Sequence, residues 1–307
     1  MLTAYPELSC THEPYKQADF LSGQHRYLRF SGECLEGGDG YLPNQEILPE
    51  LIIGKYTNII QPRVLKNLEE QFKRTRDKAE VFTPLWICNQ QNNLIDEAWF
   101  GKSDVFNYSE GITWKSNLEK IVFPNSKKWQ DYVDARRLEI SCGEAPYLVS
   151  RYDTVTGEQI NLENRIGLLD RKLRVVNENV VDAKEWLKWV VRAFQSSYGY
   201  EYQGDNVLLA RENLLLTFVD YYEARFGKKP PLITTKKIAN IVAWNIWQMD
   251  GITMTAPFSE ALPQYQQLSI FDILGENESQ EKVAVPCKVH DWRAQRTIEF
   301  KSLIKGV

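Results

Sequence analysis

ANIVAWNIWQMDG, residues 239–251, is nearly continuous in apolar residues up to Trp244, then breaks at Asn245 into Ile246, Trp247, a glutamine and an acidic turn. An apolar run without polar alternation is what a parallel strand buried on both faces requires. Residues 239–244 therefore read as a strand and Asn245 as its carboxyl end. This segment decides the fold, because two shorter strand-like stretches precede it, RLEIS (137–141) and SYGYEYQ (197–203). Helical patterns lie between and after them. DAKEWLKWVVRAFQS (182–196) places Trp186, Trp189, Val190 and Phe194 at helical intervals. A long helix opens at Gly204 and Asp205 and is ended by Gly227 and Pro230. APYLVSRY (145–152) reads as a helix leaving the first strand, and DTVTGEQI (153–160) as a turn excursion. Strands alternating with helices predict an α/β chain with a doubly wound, mostly parallel sheet.

The 307 residues are 43% hydrophobic and 25% charged, an ordered globular composition. With 37 basic against 41 acidic residues, the net charge of -4 gives no overall pull toward nucleic acid or anionic membrane, and leaves room only for a local basic cleft. No stretch approaches the roughly 20 apolar residues of a membrane helix, and the first residues, MLTAYPELSC, lack a basic-then-apolar leader, so a cytoplasmic protein without membrane contact is expected. Five cysteines, odd in number and never in a Cys-x-x-Cys pair, suggest neither a disulfide framework nor a zinc ribbon. Cys10, His12, His25 and Cys34 fit no standard ligand spacing, so no metal is expected.

Composition divides the chain into an extension (1–75), a core (76–260), and a linker with a closing hairpin (261–307). The extension contains the turn-rich SGECLEGGDGYLPN (31–44), and the last part contains the polar LGENESQEK (274–282). VLKNLEEQFKRTRDK (64–78) is helical: Val64, Leu65, Leu68 and Phe72 share one face. Its other face carries Lys66, Lys73, Arg74, Arg76 and Lys78, as a solvated surface or a phosphate-binding patch.

In an open parallel sheet, ligands bind at the carboxyl ends of the strands. Three such ends carry suggestive residues. Glu139 lies just before the tight turn at Cys142 and Gly143, Glu201 closes the second strand, and Asn245 the third. A carboxylate at a strand end suits a ribose, because it accepts hydrogen bonds from both hydroxyls. Glycine in the turn lets a ligand approach the backbone. The plainer roles are an N-cap or ion pair for the acids, and for Asn245 the capping of a strand whose Trp244 and Trp247 pack on neighbouring helices.

In order and wording these segments resemble the DNA adenine-specific methyltransferases that use S-adenosylmethionine, in particular the methylase (M) subunits of restriction–modification systems, with the gamma-type motif order. AEVFTP (79–84) resembles the Phe/Tyr-Thr-Pro element ahead of the first strand. EISCGEAPYL (139–148) aligns with the Asp-Pro-x-Cys-Gly-x-Gly-x-Phe-Leu cofactor loop, and YGYEYQGDNVLLARENLL (198–215) with the acid-bearing second strand and its helix. IVAWNIWQ (241–248) falls where the family has Asn-Pro-Pro-Tyr or Asn-Pro-Pro-Phe. Two elements depart from the pattern: Ala145 and Pro146 follow the loop where a second glycine belongs, and Ile246, Trp247 and Gln248 replace both prolines and the aromatic.

The resemblance implies a Rossmann-like sheet of the S-adenosylmethionine-dependent methyltransferase type with a small N-terminal extension. It implies a cofactor held by Phe82, Thr83, Glu139, Cys142, Gly143 and Glu201. Asn245 and the following carbonyl would accept the hydrogens of an adenine exocyclic amine, and Trp247 would stack on the flipped base. The expected reaction is methyl transfer to adenine in DNA. The alternative is a catalytically degenerate methylase fold serving as a DNA-binding or assembly subunit. DNA is the expected partner, together with a nuclease or specificity subunit, since too little chain follows the core for a target-recognition domain. Lys73, Arg74, Arg76, Lys78, Lys236 and Lys237 are the basic groups available to phosphates.

Overall fold

The computed structural model describes residues 28–30, 41–42, 45–52, 54–56, 58–261 and 283–304. Cys10, His12, His25, Cys34, most of 31–44 and the linker 274–282 lie outside the described residues. The protein is a mixed α/β chain. In order, its principal elements are α1 (Leu68–Lys78), α2 (Leu85–Phe100), the hairpin β1 (Asn107–Glu110) and β2 (Thr113–Ser116), α3 (Trp129–Asp134) and β3 (Arg137–Ile140). There follow α4 (Leu168–Asn179), α5 (Ala183–Gln195), β4 (Ser197–Glu201), α6 (Gly204–Phe226), α7 (Leu232–Asn245) and β5 (Ile246–Gln248). The chain closes with β6 (Thr255–Ala261) paired to β7 (Val283–Pro286), and the hairpin β8 (Lys288–Asp291) and β9 (Arg296–Glu299).

The parallel sheet has three strands in the order β3-β4-β5, with Glu139 beside Gly199 and Glu201 beside Gln248. Buried apolar side chains of α3 to α7, such as Val133, Leu173, Trp186, Phe194, Phe218 and Ile241, join one cluster with Ile246 and Cys142 from the sheet side. Tyr200 and Trp247, paired across β4 and β5 and so on one face, pack instead with Val289 and Phe300 of the closing hairpin region. A doubly wound sheet carries helices on both faces. Here, among the described residues, an antiparallel hairpin covers that second face.

The strand expected over 239–244 is a helix, and the strand itself is confined to Ile246–Gln248. Pro231 stands at its N-cap, and Ile238, Ile241, Val242 and Asn245 are buried along with Thr235. Those four are spaced i, i+3, i+4, i+7, the stripe of a helix packed on a core. A window of six residues was too short to separate it from a buried strand. APYLVSRY is likewise not a helix. Leu148 and Val149 donate to the Ala145 carbonyl in successive turns, after which Tyr152 bridges Gln159. The pairing of 151–153 with 158–160 takes the backbone groups that a helix would have used.

α1 is turned over relative to the expectation. Its apolar residues Leu68 and Phe72 are each 71% exposed, whereas Lys66 and Arg74 are buried. The guanidinium of Arg74 bonds the carboxylate of Glu80 and reaches Asp205 at 2.7 Å, and Lys66 lies 3.8 Å from Asp205. Paired charges can be buried, and the two carboxylates draw Lys66 and Arg74 inward, while Lys73 and Arg76 of the same basic set stay exposed as expected. Arg74 is thus spent on an internal ion cluster and is withdrawn from the set of phosphate-contacting groups. No described helix is long and apolar enough to cross a membrane.

Candidate functional site

At the carboxyl ends of β3 and β4 a cavity of about 300 Å³ is lined by Lys78, Glu80, Phe82, Thr83, Glu139, Cys142, Gly143, Tyr147, Glu201, Tyr202 and Asn206, among others. All six residues expected at a cofactor, Phe82, Thr83, Glu139, Cys142, Gly143 and Glu201, are therefore brought to one place from three separate segments. Lys78, Glu80, Tyr147, Tyr202, Gln203 and Asn206 were not expected there. Lys78 and Glu80 adjoin the AEVFTP stretch, and Gln203 and Asn206 flank the helix start. Nearness in sequence to the motif residues was the available signal.

The loop after β3 turns through three left-handed positions, Ser141 (φ 52°), Gly143 (φ 51°) and Ala145 (φ 64°). Ala145, where the resemblance places a glycine, takes up a glycine-like conformation and is fully buried. That geometry costs an alanine about 1–2 kcal/mol, so its Cβ has not prevented the loop from closing. A Cβ on Gly143 would stand 3.6 Å from the Phe82 ring, which places that ring against the loop.

Glu201 ties the loop to the sheet: its Oε2 accepts the Gly143 N–H at 3.0 Å and its Oε1 the Gln203 N–H at 3.0 Å. Burial pushes its carboxyl above the usual range, and the Gln203 and Gly143 amides act the other way. An ionised carboxylate has about four acceptor sites, so the Gly143 and Gln203 amides do not exhaust its capacity to accept from a hydroxyl. Glu139 caps the turn behind the loop, accepting the Leu148 N–H at 3.1 Å and the Tyr147 N–H at 3.3 Å. Burial pushes Glu139 up to about 8. A folded-state value above the ordinary 4.5 means that Glu139 binds its proton more tightly when folded, a contribution complete at low pH and lost as pH rises toward 8. Glu139→Gln is expected to flatten the fall in stability between pH 5 and 8 in denaturant titrations, relative to the parent. The Cys142 side chain is buried against the second strand: a Cβ on Gly199 would lie 3.2 Å from its Sγ and 3.2 Å from Ile246.

Asn245 and Trp247 are not in this cavity. Asn245 is the last residue of α7. Its amide donates to the Phe194 carbonyl at 2.8 Å and the Ser197 carbonyl at 2.9 Å, and its Oδ1 accepts the Trp292 indole N–H at 2.7 Å. It locks the end of α5 and the start of β4 to the closing hairpin. Trp247 is fully buried among Tyr200 and Phe300 and offers no face to a base. These two placements correct the expectation for 241–248, and the cause is the helix: the strand starts one residue after Asn245, so its carboxyl end is Gln248.

Gln248 in turn is engaged by the chain itself. Its Oε1 accepts the Arg29 N–H at 2.8 Å, and its Nε2 donates to the carbonyls of Tyr202 at 2.9 Å and Arg29 at 3.0 Å. The segment around Arg29 lies against the carboxyl end of β5 and against Gly204, where a Cβ would meet the Arg29 carbonyl at 2.2 Å. Among the described residues no group of three or more His, Cys, Asp or Glu is placed to hold a metal ion. Compared with known proteins, the chain matches no family model, no curated protein and no solved structure.

Proposed function

We propose that the chain binds an adenosyl ligand of the S-adenosylmethionine class in the cavity between Phe82, Gly143 and Glu201, as a methyltransferase-like subunit with a reduced Rossmann-like sheet. The observation that carries this reading is the carboxylate of Glu201, bound to the glycine-loop amide on one side and to its own helix start on the other. That arrangement leaves acceptor capacity for a ribose, in a cavity also lined by the Phe82 ring and Thr83. The motif order of the sequence supports the same ligand. Glu201→Ala is expected to weaken binding of S-adenosylhomocysteine by about 1.5–3 kcal/mol, the value of hydrogen bonds to a charged group, in a calorimetric titration of the folded variant. Unchanged affinity would remove the ribose assignment.

The role we favour for that cofactor site is in an assembly or DNA-binding subunit of a restriction–modification type system. What supports it over catalysis by this chain alone is the engagement of Asn245, Trp247 and Gln248 in internal contacts. Methyl transfer to the exocyclic amine of adenine in DNA is the second reading. It is favoured by one observation: Tyr202, directly after Glu201, lines the cavity while keeping 36% of its surface exposed, which makes it a stacking surface for a planar base. Tritiated methyl transfer to DNA from labelled S-adenosylmethionine separates the two. Turnover sensitive to Tyr202→Ala supports the second reading, and cofactor binding without turnover supports the first.

A further inference from the structure

Because α1 turns its charges inward, it presents an apolar stripe to solvent. Leu65, in the turn before it, is 61% exposed, and Leu68 and Phe72 follow on the helix, all three among the exposed large apolar residues of the described chain. With Glu69, Lys73 and Arg76, also exposed, they are spaced three and four residues apart, as one helical face requires. Exposed apolar side chains scattered singly are ordinary, whereas a contiguous row of them marks an interaction surface. The opposite face holds Arg74 in its buried contacts with Glu80 and Asp205, so the helix cannot turn its apolar side inward without stranding those charges.

The charges along the same stripe select the partner. Exposed Glu69 and Asp77 are matched by exposed Lys73 and Arg76, so the surface has no net charge to attract nucleic acid or an anionic membrane. Acid stands in the first turn of α1 and base in the last. That order is self-complementary when the helix meets its own copy antiparallel. About a two-fold axis beside Phe72, Glu69 of each chain comes opposite Arg76 of the other, the helix dipoles oppose, and Leu68 and Phe72 pack across the axis. We propose that the chain forms a dimer with a second copy of itself through the Leu65, Leu68 and Phe72 face of α1. The pairing of Arg76 with Asp77 at 2.7 Å competes only weakly, because both side chains stand in solvent. The inverted helix then has a use for each face, an ion cluster within the chain and apolar packing between chains. This inference is independent of the adenosyl reading.

Sedimentation velocity on the full chain over a series of concentrations tests it. The parent is expected to pass from monomer to dimer as concentration rises. Phe72→Glu should raise the dimer dissociation constant at least about tenfold, as for a buried aromatic anchor. Phe72 is exposed in the single chain, so the variant should melt with the parent at concentrations where both are monomers. Glu69→Lys and Arg76→Glu should each weaken association about tenfold by setting like charges opposite one another. An equimolar mixture of the two should recover association, since each then faces the opposite sign in the other. A parent that stays monomeric at the highest concentration would overturn the inference, and so would a dimer that Phe72→Glu leaves unchanged. Mixed variants that associate no better than either alone would overturn the antiparallel pairing on which it rests.

Discussion

Arg74→Met is expected to lower the stability of the chain by about 3–5 kcal/mol, the cost of removing one partner from a buried ion pair, read from the midpoint of denaturant unfolding. Arg74 is the shared partner of two buried carboxylates, Glu80 and Asp205, so its loss strands both. Burial acts to raise the Asp205 carboxyl, and the charges of Arg74, Lys66 and Lys78 overcome it and hold the group well below the usual carboxylate range. A depressed folded-state value contributes stability that is present above the ordinary value of 3.8 and is lost as pH falls toward the folded one. The variant should therefore also unfold at a higher pH on acidification than the parent. Asp205 opens α6 and Glu80 lines the cavity, so ligand affinity should fall with stability. A variant as stable and as acid-tolerant as the parent would show that the cluster does not hold α1 to α6.

Asn245→Ala is expected to destabilise by about 2–4 kcal/mol, since it leaves two buried carbonyls and an indole N–H without their partner. Binding of S-adenosylhomocysteine should be unchanged at temperatures where the variant is folded, because Asn245 is remote from the cavity lining. Thermal melting followed by calorimetry at low temperature checks both halves. A variant that melts with the parent yet loses methyl transfer would return Asn245 to the catalytic role suggested by its place in the sequence.

Asn245 also marks where the sequence stops being legible. Residues that the fold uses for special backbone or polar tasks were readable in advance: Glu201 and Gly143 meet through a hydrogen bond, and Gly227 ends α6 in the left-handed conformation. The long helix is marked by its start and stop residues, and the first two strands fall where the short strand-like stretches were read. Two kinds of segment were not readable. In ANIVAW both periodicities fit the same few apolar residues, and only the buried Ile238 and the proline ahead of it, outside the quoted run, tip it to a helix.

In α4 the difficulty is the reverse. Asp170, Arg171 and Lys172 are all buried, so the charges that would mark a solvent face lie inside. Arg171 is neutralised by Asp96 at 2.6 Å, while Lys172 is held by the carbonyls of Ala135 and Ser196. Such pairings are made with residues distant in sequence and leave no local signature. The same is true of Arg74 and its distant partner Asp205, which bury a residue of the helix face expected in solvent.

The strap at Arg29 belongs to this class as well. Its contact with Gln248 uses main-chain groups of Arg29, which any residue could supply. The end of the third strand was therefore expected to be open to a ligand, and the chain's own backbone fills it.

The most direct test of the account is a calorimetric titration of the full parent chain with S-adenosylmethionine and, separately, with S-adenosylhomocysteine. A saturable heat with a dissociation constant on the order of micromolar, about −8 kcal/mol, is the predicted result for a cavity that combines Glu201, the Gly143 loop and the Phe82 ring. Absence of binding by either compound at millimolar concentration would contradict it, and would leave the cavity as a feature of the fold without an adenosyl ligand.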